Sequence, residues 1–460
     1  MLFPTATFAV FFLIVLPVSW LLMPSQRAWR AWILLASYVF YGWWDWRFVF
    51  LLVASTVVNH VLALAIYRAR AARWRKAFLT LAVGFDLGFL AYFKYAGFFV
   101  SSFDNAFGTS WIVTVALPVG ISFYSFMAIS YVVDTYRGEL VPVSFSRFAV
   151  FQAFFPHLVA GPIVRASELL PQLESPRDPR RVDTSRAFVL ILSGLFLKVV
   201  IANHLATHIV DEVFAAPDSH SSLEVLVAIY GYAVQIFADF CGYTNIAIGI
   251  ALLLGFVFPQ NFDSPYAAVS LQDFWRRWHM TLSLWLRDYL YIPLGGNRKG
   301  RLATYRNLML TMLLGGLWHG AAWTFVIWGG IHGVGLCVER ALGWRPRSRR
   351  AQWLGRVLTF QIVCFAWVFF RADSLARAGQ ILERLFTAWR QPSPLVTASV
   401  LLAIAVGIGG QYVRPGAVAV VVRGFGRMPT LAQAGCIGVA VALIETLGPV
   451  GVPPFIYFRF

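Results

Sequence analysis

Two histidines, His279 and His319, stand in otherwise apolar stretches and are the residues of this chain best suited to proton transfer. His279 lies in WRRWHMTLS, and His319 lies in GGLWHGAAW, between Gly315, Gly316 and Gly320. A neutral imidazole accepts a proton near pH 7, and glycine neighbours let a substrate or another backbone approach closely. The competing explanation is structural, because either ring could simply hydrogen-bond to a neighbouring helix or a backbone carbonyl. The residues alone leave both explanations open.

Charged and aromatic residues around these histidines could bind a donor or an acceptor. Arginines attract anionic groups such as the phosphates of a cofactor, although arginines facing lipid headgroups would look the same. A buried Asp239 should pair with an arginine or with a histidine N–H, and a purely structural pair is the competing explanation. The candidate binding residues are Arg276, Arg277, Trp278, Asp288, Asn297, Trp318, Asp239 and Tyr243.

Other kinds of chemistry find little support in the sequence. It contains no HExxH, GxSxG, nucleotide-binding glycine loop or CxxC pair, which argues against hydrolase, redox and metalloenzyme functions. Cys241, Cys337, Cys364 and Cys436 are widely spaced in apolar surroundings. We expect them to be small buried residues, with no disulfide framework and no metal site.

Composition places the chain in a membrane. Of its 460 residues, 59% are hydrophobic and 13% are charged, whereas soluble domains carry roughly 25% charge. The sequence predicts one domain over residues 1–460, an all-α polytopic integral membrane protein with about 10–12 transmembrane helices. The first of these spans, a retained one, covers residues 5–23. The others are predicted at 31–52, 48–66, 78–102, 112–133, 186–214, 223–258, 306–339, 353–370, 395–412 and 431–449.

The net charge of +17 is explained by arginines in the breaks between apolar runs, as in cytoplasmic loops of membrane proteins, and not by nucleic-acid binding. Two such clusters, 298–306 and 340–350, both belong on the cytosolic side. The run between them is about 50 Å long as one helix, so a single straight span would separate them. We therefore predict a broken or re-entrant hairpin, bent at Gly315-Gly316 or at Gly329-Gly330, that holds His319 beside a polar cavity.

Five local expectations complete the sequence analysis. Residues 137–185 should form a long loop with short membrane-surface helices, and 274–290 should form one amphipathic helix at an interface. His157 is expected in an exposed loop. Pairing between helices or at an interface is expected for Asp86 and Lys94 and for Asp134 and Arg137, and an interfacial aromatic belt is expected for Trp43, Trp44 and Trp46.

Several long segments, taken in order, resemble the membrane-bound O-acyltransferase superfamily, and within it the bacterial branch that contains the alginate O-acetyltransferase membrane subunit. The resemblance implies a ring of helices around a funnel that thins the membrane. It also implies that His319 is the catalytic histidine and that His279 is the second, upstream histidine. The matching segments are YGWWDWRFVFLLVASTVVNH, PVGISFYSFMAISYVVDTYRG, FFPHLVAGPIVRASELLPQL, FADFCGYTNIAIGIALLLGF, NFDSPYAAVSLQDFWRRWHMTLSLWLRDYLYIPLGGNRKG, LLGGLWHGAAWTFVIWGGIHG and FIYFRF.

The resemblance further implies a reaction. An acyl group, most simply acetyl from acetyl-CoA, crosses the bacterial inner membrane and ends on a sugar hydroxyl, with help from a separate periplasmic acetyltransferase and with no resident cofactor. His319 would act as general base, and it could also carry the acyl group covalently. Cys241 and Asn245 depart from the Ser and Asp more usual in the family, which puts a supporting role for these two positions in doubt.

Four other functions remain open at this stage. Within the superfamily the acceptor could be peptidoglycan, or the reaction could be D-alanylation of teichoic acid from a carrier protein. A transporter would use intramembrane charges without a catalytic histidine, but the inverted repeats typical of transporters are not evident in the sequence. An interaction scaffold would leave the glycine-rich surroundings of His319 unexplained.

Overall fold

The computed structural model describes residues 1–111 and 115–449, and the chain is 77% helical, with no strand in those ranges. The terminal FIYFRF motif and the first residues of the span predicted at 112–133 lie outside the described residues. The α-helices are α1 (Ala6–Leu22), α2 (Gln26–Gly42), α3 (Arg47–Arg68), α4 (Ala72–Leu90), α5 (Ala96–Phe107), α6 (Ile121–Arg137), α7 (Phe145–Ala153), α8 (Phe155–Leu158), α9 (Ala166–Leu169), α10 (Thr184–Leu195), α11 (Asn203–Leu205), α12 (Asp211–Ala215), α13 (Ser222–Leu253), α14 (Leu271–Arg277), α15 (Met280–Leu286), α16 (Gly300–His319), α17 (Trp323–Leu342), α18 (Arg349–Arg371), α19 (Leu375–Thr387), α20 (Ala398–Gly409), α21 (Pro415–Gly426) and α22 (Thr430–Leu447).

The prediction of an all-α polytopic membrane protein is confirmed. Among the described residues, seven helices are long and apolar enough to cross a membrane: Arg47–Arg68, Ala72–Asp104, Thr184–Ala215, Ser222–Leu253, Trp323–Leu342, Arg349–Arg371 and Thr430–Leu447. The pair Ala398–Tyr412 and Gly416–Gly426, bent by 95°, would make an eighth. The number is smaller than the predicted one because some apolar runs are divided: the run at 31–52 is interrupted between α2 and α3, and α1 has only 17 residues.

The described chain forms two compact units. The first contains residues 1–187 and 247–259, and the second contains residues 188–246 together with the described residues from 260 onward. In the first unit, α3, α4 and α6 pack against one another. Asp86 on α4 accepts a hydrogen bond from Asn59 on α3 at 3.0 Å, and Lys94 donates to Ser122 on α6 at 3.2 Å. The expected pairing of Asp86 and Lys94 with neighbouring helices is therefore confirmed.

The segment 137–185 does contain only short helices, as predicted, but His157 is not in an exposed loop. Its side chain is fully buried, its Nε2 lies 2.9 Å from the Phe151 carbonyl oxygen, and its ring stacks on Phe258. Burial lowers the pKa of His157 to about 4. The prediction was wrong because the aromatic residues around Pro156 fold inward and enclose the ring.

The predicted hairpin exists, with its break in a different place. Helices α16 and α17 pack closely along their length and run in opposite directions: Gly316 meets Phe325, Gly329 meets Met312, and Cys337 meets Tyr305. The chain reverses at residues 320–322, directly after His319. Gly316 and Gly329 do not bend their helices. A methyl group on either would collide with a backbone carbonyl of the opposite helix, so both glycines serve close packing.

The segment 274–290 also departs from prediction, because it is not one helix. It is α14, then a break at Trp278 and His279, then α15 and a π-helical turn at Arg287–Tyr291. His279 has φ = 42°, in the left-handed region that a residue with a side chain rarely adopts. Such a backbone costs of order 1–3 kcal/mol and persists only where its surroundings hold it.

The exposure of cysteine and tryptophan side chains bears on two further expectations. Cys241 and Cys364 are buried as predicted, whereas Cys337 is half-buried and Cys436 is exposed, because their helices α17 and α22 turn those positions outward. Trp43, Trp44 and Trp46 are each more than 60% exposed in the link from α2 to α3. This exposure suits the interfacial aromatic belt proposed for them.

Candidate active site

The two histidines come together in the second compact unit. Their ring centroids are 6.4 Å apart, and the His319 ring makes edge contacts with Trp318 and Trp328 at 5.0 Å and with Phe370 at 5.4 Å. We call these five residues the histidine cluster. The contact between His279 and Trp318, at 6.0 Å, closes it.

Three helix segments place His319 in this cluster. His319 is the last residue of α16, Trp328 lies on the antiparallel α17, and Phe370 lies near the end of α18. Gly320, the first residue after His319, packs against the Phe325 ring so closely that a methyl group there would overlap it. The glycines around His319 thus bring the two helices close enough for the imidazole to contact aromatic rings from both.

Asn261 holds His279. Its side-chain oxygen Oδ1 lies 3.2 Å from His279 Nδ1 and accepts hydrogen bonds from the Thr281 amide at 3.3 Å and the Thr281 hydroxyl at 2.9 Å. The Asn261 backbone carbonyl accepts a further bond from the Met280 amide at 2.9 Å. These bonds span the residue in the left-handed conformation and its two successors, so Asn261 fixes the strained turn.

The same contacts define the tautomer of His279. Because the Thr281 amide can only donate, the Asn261 atom that it faces must be the oxygen, and His279 must therefore carry its proton on Nδ1. Its Nε2 then bears a lone pair, and this nitrogen is buried with no hydrogen-bond partner among the described residues. Burial lowers the pKa of His279 from its ordinary 6.5 to about 3, so the ring is neutral at pH 7.

Both imidazoles are enclosed. His279 is fully buried, and His319 is 3% exposed. The ring centroids are too far apart for a direct bond between ring nitrogens, which requires about 2.7–3.2 Å. One oxygen atom of a substrate could bridge them. The polar cavity and the access from both sides that the sequence predicts for His319 stay predictions.

Asp239 has a different partner from those expected. It lies 2.5 Å from Lys198, with side chains 4% and 3% exposed, in place of an arginine or a histidine. Lys198 belongs to a π-helical segment, Phe196–Ala202, and Asp239 to α13. The helices approach closely through Gly194 and Gly242, where a methyl group would lie 2.5–2.7 Å from the facing carbonyl. A buried pair of this kind is sensitive to the loss of either partner.

The remaining candidates divide into two groups. Trp318 belongs to the histidine cluster, and Trp278 is buried in ring contacts with Phe274 and Trp367. Tyr243 is fully buried one helical turn after Asp239. The charged and amide candidates lie elsewhere: Arg276 and Asn297 are exposed, Arg277 pairs with Asp273 at 2.8 Å, and Asp288 pairs with the adjacent Arg287 at 2.6 Å.

Sequence reasoning did not single out Asn261, Trp328 or Phe370, nor Lys198 as the partner of Asp239. Asn261 and Trp328 lie within the segments that carry the family resemblance, but nothing in those segments showed which side chains contact the histidines. It also found no signal in His332. This residue is fully buried, contacts Trp328 at 5.0 Å and Trp275 at 5.1 Å, and has no hydrogen-bond partner for either ring nitrogen among the described residues. In the described residues, no group of three or more His, Cys, Asp or Glu is arranged to hold a metal ion.

Residues 102–376, a range that contains both histidines, match the sequence profile of MBOAT, the membrane-bound O-acyltransferase family. The chain belongs to the membrane-bound O-acyltransferase family. It is 44% identical to a protein of Pseudomonas putida named probable alginate O-acetylase AlgI, over 79% of this chain and 76% of the relative. It is 38% identical to the peptidoglycan O-acetyltransferase of Helicobacter pylori, over 77% and 73%. It is 29% identical to the teichoic acid D-alanyltransferase of Bacillus subtilis, over 55% and 68%.

Family membership makes the protein an enzyme, a multi-pass membrane O-acyltransferase that uses an acyl donor. The resemblance seen in the sequence motifs is thereby confirmed. The histidine cluster lies within the matched range and is the candidate active site of this acyltransferase.

Proposed function

We propose that this protein moves an acyl group, most simply acetyl, from a cytosolic thioester donor such as acetyl-CoA across the bacterial inner membrane for O-acetylation of an exported polysaccharide such as alginate. The observation that carries the proposal is the meeting of His279 and His319 in one buried cluster. The 44% identity to alginate O-acetylases over most of the chain supports the choice of polymer.

In this proposal His319 is the general base. The hydroxyl oxygen of the acceptor attacks the carbonyl carbon of the thioester, and His319 takes the hydroxyl proton. The carbon–sulfur bond breaks, and the thiolate leaves and regains a proton. His319 ends α16 at the negative pole of the helix dipole, which favours the positive charge that the ring gains during the transfer.

His279 has a complementary role. Its Nδ1 proton is committed to Asn261, so its Nε2 offers a lone pair to the acceptor hydroxyl. The hydroxyl hydrogen is then shared between the His279 Nε2 lone pair and His319, which positions the oxygen for attack. Because burial disfavours protonation of His279, the proton passes to His319. Trp318, Trp328 and Phe370 exclude water from the thioester.

We also propose that a separate periplasmic acetyltransferase receives the acyl group and places it on the polymer. Arg276 and Arg277 remain candidates for the donor's phosphates, and Asp288, Asn297, Trp278, Asp239 and Tyr243 remain lower-ranked binding candidates. Peptidoglycan O-acetylation is the second candidate function, because a relative of that name is 38% identical over 77% of the chain. The genes next to this one, whether for polysaccharide synthesis or for peptidoglycan enzymes, would choose between the two.

The test is His319→Ala. We expect the variant to reach the membrane in normal amount and to lose polymer O-acetylation, measured as ester released from the purified polymer. His208→Ala is the matched control, because His208 is an exposed histidine of the same unit outside the cluster, and it should retain full acetylation. Normal acetylation in His319→Ala would overturn the assignment. His279→Ala should also impair acetylation.

A further inference from the structure

Four arginines gather in the first compact unit, outside the histidine cluster. Two of them lie in the first two turns of α2, one lies in the first turn of α7, and one lies in the loop that follows α9. The loop is tied to both helices: Arg147 lies 3.7 Å from Glu174, and the Gln26 amide donates to the Glu174 carbonyl. We call these residues the arginine cluster: Arg27, Arg30, Arg147 and Arg177.

The helix ends add to this positive charge. A helix N-terminus carries roughly half a positive charge and normally attracts acidic residues. Neither α2 nor α7 has an acidic residue in its first turn, and neither Ser25 nor Ser144 caps its helix with the side chain. Two positive helix ends and four arginines therefore share one region. The pKa of Arg30 is lowered, first by burial and then by repulsion from Arg147 and Arg27.

One member of the cluster is rigidly held. The Arg177 guanidinium lies 3.9 Å from the centres of both the Trp29 and the Phe256 rings, and its Nη1 donates to the Gln172 carbonyl at 3.1 Å. Stacking between two rings fixes the plane of the fork. Its pKa is lowered to about 9, mainly by burial.

The cluster also has unused donors. Among the described residues, the Nε–H groups of Arg30, Arg147 and Arg177 are all buried and lack a hydrogen-bond partner. A buried donor without a partner is costly, and one next to a charge of the same sign is more so. An anion with several acceptor oxygens would satisfy these donors and offset the repulsion together.

We propose that the arginine cluster is a binding site for a phosphate ester. Phosphate matches the forked geometry of guanidinium groups and the dipoles of helix N-termini. Two molecules at a membrane surface carry this group, an anionic phospholipid and a phosphorylated acyl donor. Leu21, near the end of α1, and Leu35, later on the same helix as Arg30, are 79% and 57% exposed, so this part of the chain offers apolar surface to acyl chains, and a lipid headgroup is the favoured source. Neither source requires His319 to be catalytic.

The test compares binding to purified full-length protein with and without the cluster. Native mass spectrometry would count phosphatidylglycerol molecules retained by the protein from mixed micelles, and calorimetry would measure coenzyme A binding. We expect the double variant Arg30→Gln with Arg147→Gln to lower the affinity for one of these ligands. The loss should be about tenfold for each arginine, as is typical of a charge-assisted hydrogen bond. Loss of phosphatidylglycerol would identify a lipid site, and loss of coenzyme A would identify a donor site.

Two further variants control for misfolding and for a general effect of lost positive charge. The double variant Arg30→Lys with Arg147→Lys keeps the charge but removes the planar guanidinium groups. The affinity should fall several-fold, although the protein elutes normally from a size-exclusion column. Arg70→Gln, at an exposed arginine of the same unit, should bind both ligands like the wild type. Equal binding of both ligands by the cluster variants and the Arg70 control would overturn the proposal.

Discussion

Replacing Asn261 by leucine tests whether the amide oxygen orients His279. Leucine has the same branching but no acceptor, so the change removes the partner of the His279 Nδ1–H at 3.2 Å and the bonds that Asn261 accepts from the Thr281 amide at 3.3 Å and hydroxyl at 2.9 Å. A buried donor without a partner costs about 1–3 kcal/mol. Since the hydroxyl can rotate to another acceptor, we expect a loss of about 2–4 kcal/mol in the free energy of unfolding.

The fall in the rate of acyl transfer should be larger than the fall in the amount of folded protein. With Nδ1 no longer held, His279 can adopt the other tautomer and lose its lone pair on Nε2. General acid–base groups contribute about 10²–10⁴-fold to rates, and a misoriented partner of the base should cost about 10²-fold, or roughly 2.7 kcal/mol in the activation barrier. Acyl transfer in membrane vesicles, normalised to folded protein, measures this loss.

The variant Asn261→Asp separates orientation from packing by its pH dependence. It keeps an acceptor for Thr281, but its carboxylate stabilises the imidazolium form and raises the pKa of His279 from about 3. Once protonated, His279 has no lone pair. Transfer by Asn261→Asp should therefore fall as the pH drops through the raised pKa of His279 and recover above it. In the wild type, where the pKa of His279 is about 3, His279 adds no such step to the profile near neutral pH.

Two results would refute this reasoning. The first is a fully active, folded Asn261→Leu protein. The second is an Asn261→Asp protein whose pH profile overlies that of the wild type.

Two structural predictions accompany it. Lys198→Met should destabilise the protein by about 3–5 kcal/mol, because it removes the cation from a buried ion pair and leaves the Asp239 carboxylate in place. Lys198→Met with Asp239→Leu should recover part of that loss in thermal unfolding, and a double variant no more stable than the single would contradict the pairing. Gly329→Ala should destabilise the hairpin, because the methyl group would collide with the Met312 carbonyl of α16. Gly330→Ala is its control: there the nearest atom is a Leu313 methyl at 3.7 Å, and unfolding should be unchanged or shifted slightly upward.

The sequence predicted that the chain reverses near His319 but placed the bend at the wrong residues. The reason is that glycine occurs both at bends and where two helices pack closely. Apolar length and flanking arginines required two helices, and the paired glycines were the obvious place for a bend. In the structure Gly316 and Gly329 remain helical and face the opposite backbone. The reversal occurs at residues 320–322. The length of the apolar run and the flanking arginines therefore indicated the hairpin correctly. The glycines could not show whether they mark a bend or a close approach of two helices.

The partners of buried polar side chains were harder to predict than the helices. Asn261 precedes His279 by 18 residues in the sequence, and only the left-handed turn at His279 brings the two side chains together. Lys198 meets Asp239 because a π-helical segment and two facing glycines align their helices. His157 could be placed only by knowing which aromatic rings surround it. Local pattern gives the helices, whereas the partner of a buried polar group depends on the packing of whole helices.

The two histidines have different surroundings, and this gives them different tendencies to carry a positive charge. His319 closes the twenty-residue α16, where carbonyl groups without helical partners favour a positive charge on the ring. His279 lies in the break between α14 and α15, next to helix ends of both polarities, and its complete burial disfavours a charge on its ring. A proton entering the space between the rings is therefore directed to His319. If this difference matters, a change that favours the protonated form of His279, as Asn261→Asp does, should weaken acyl transfer even though both imidazoles are retained.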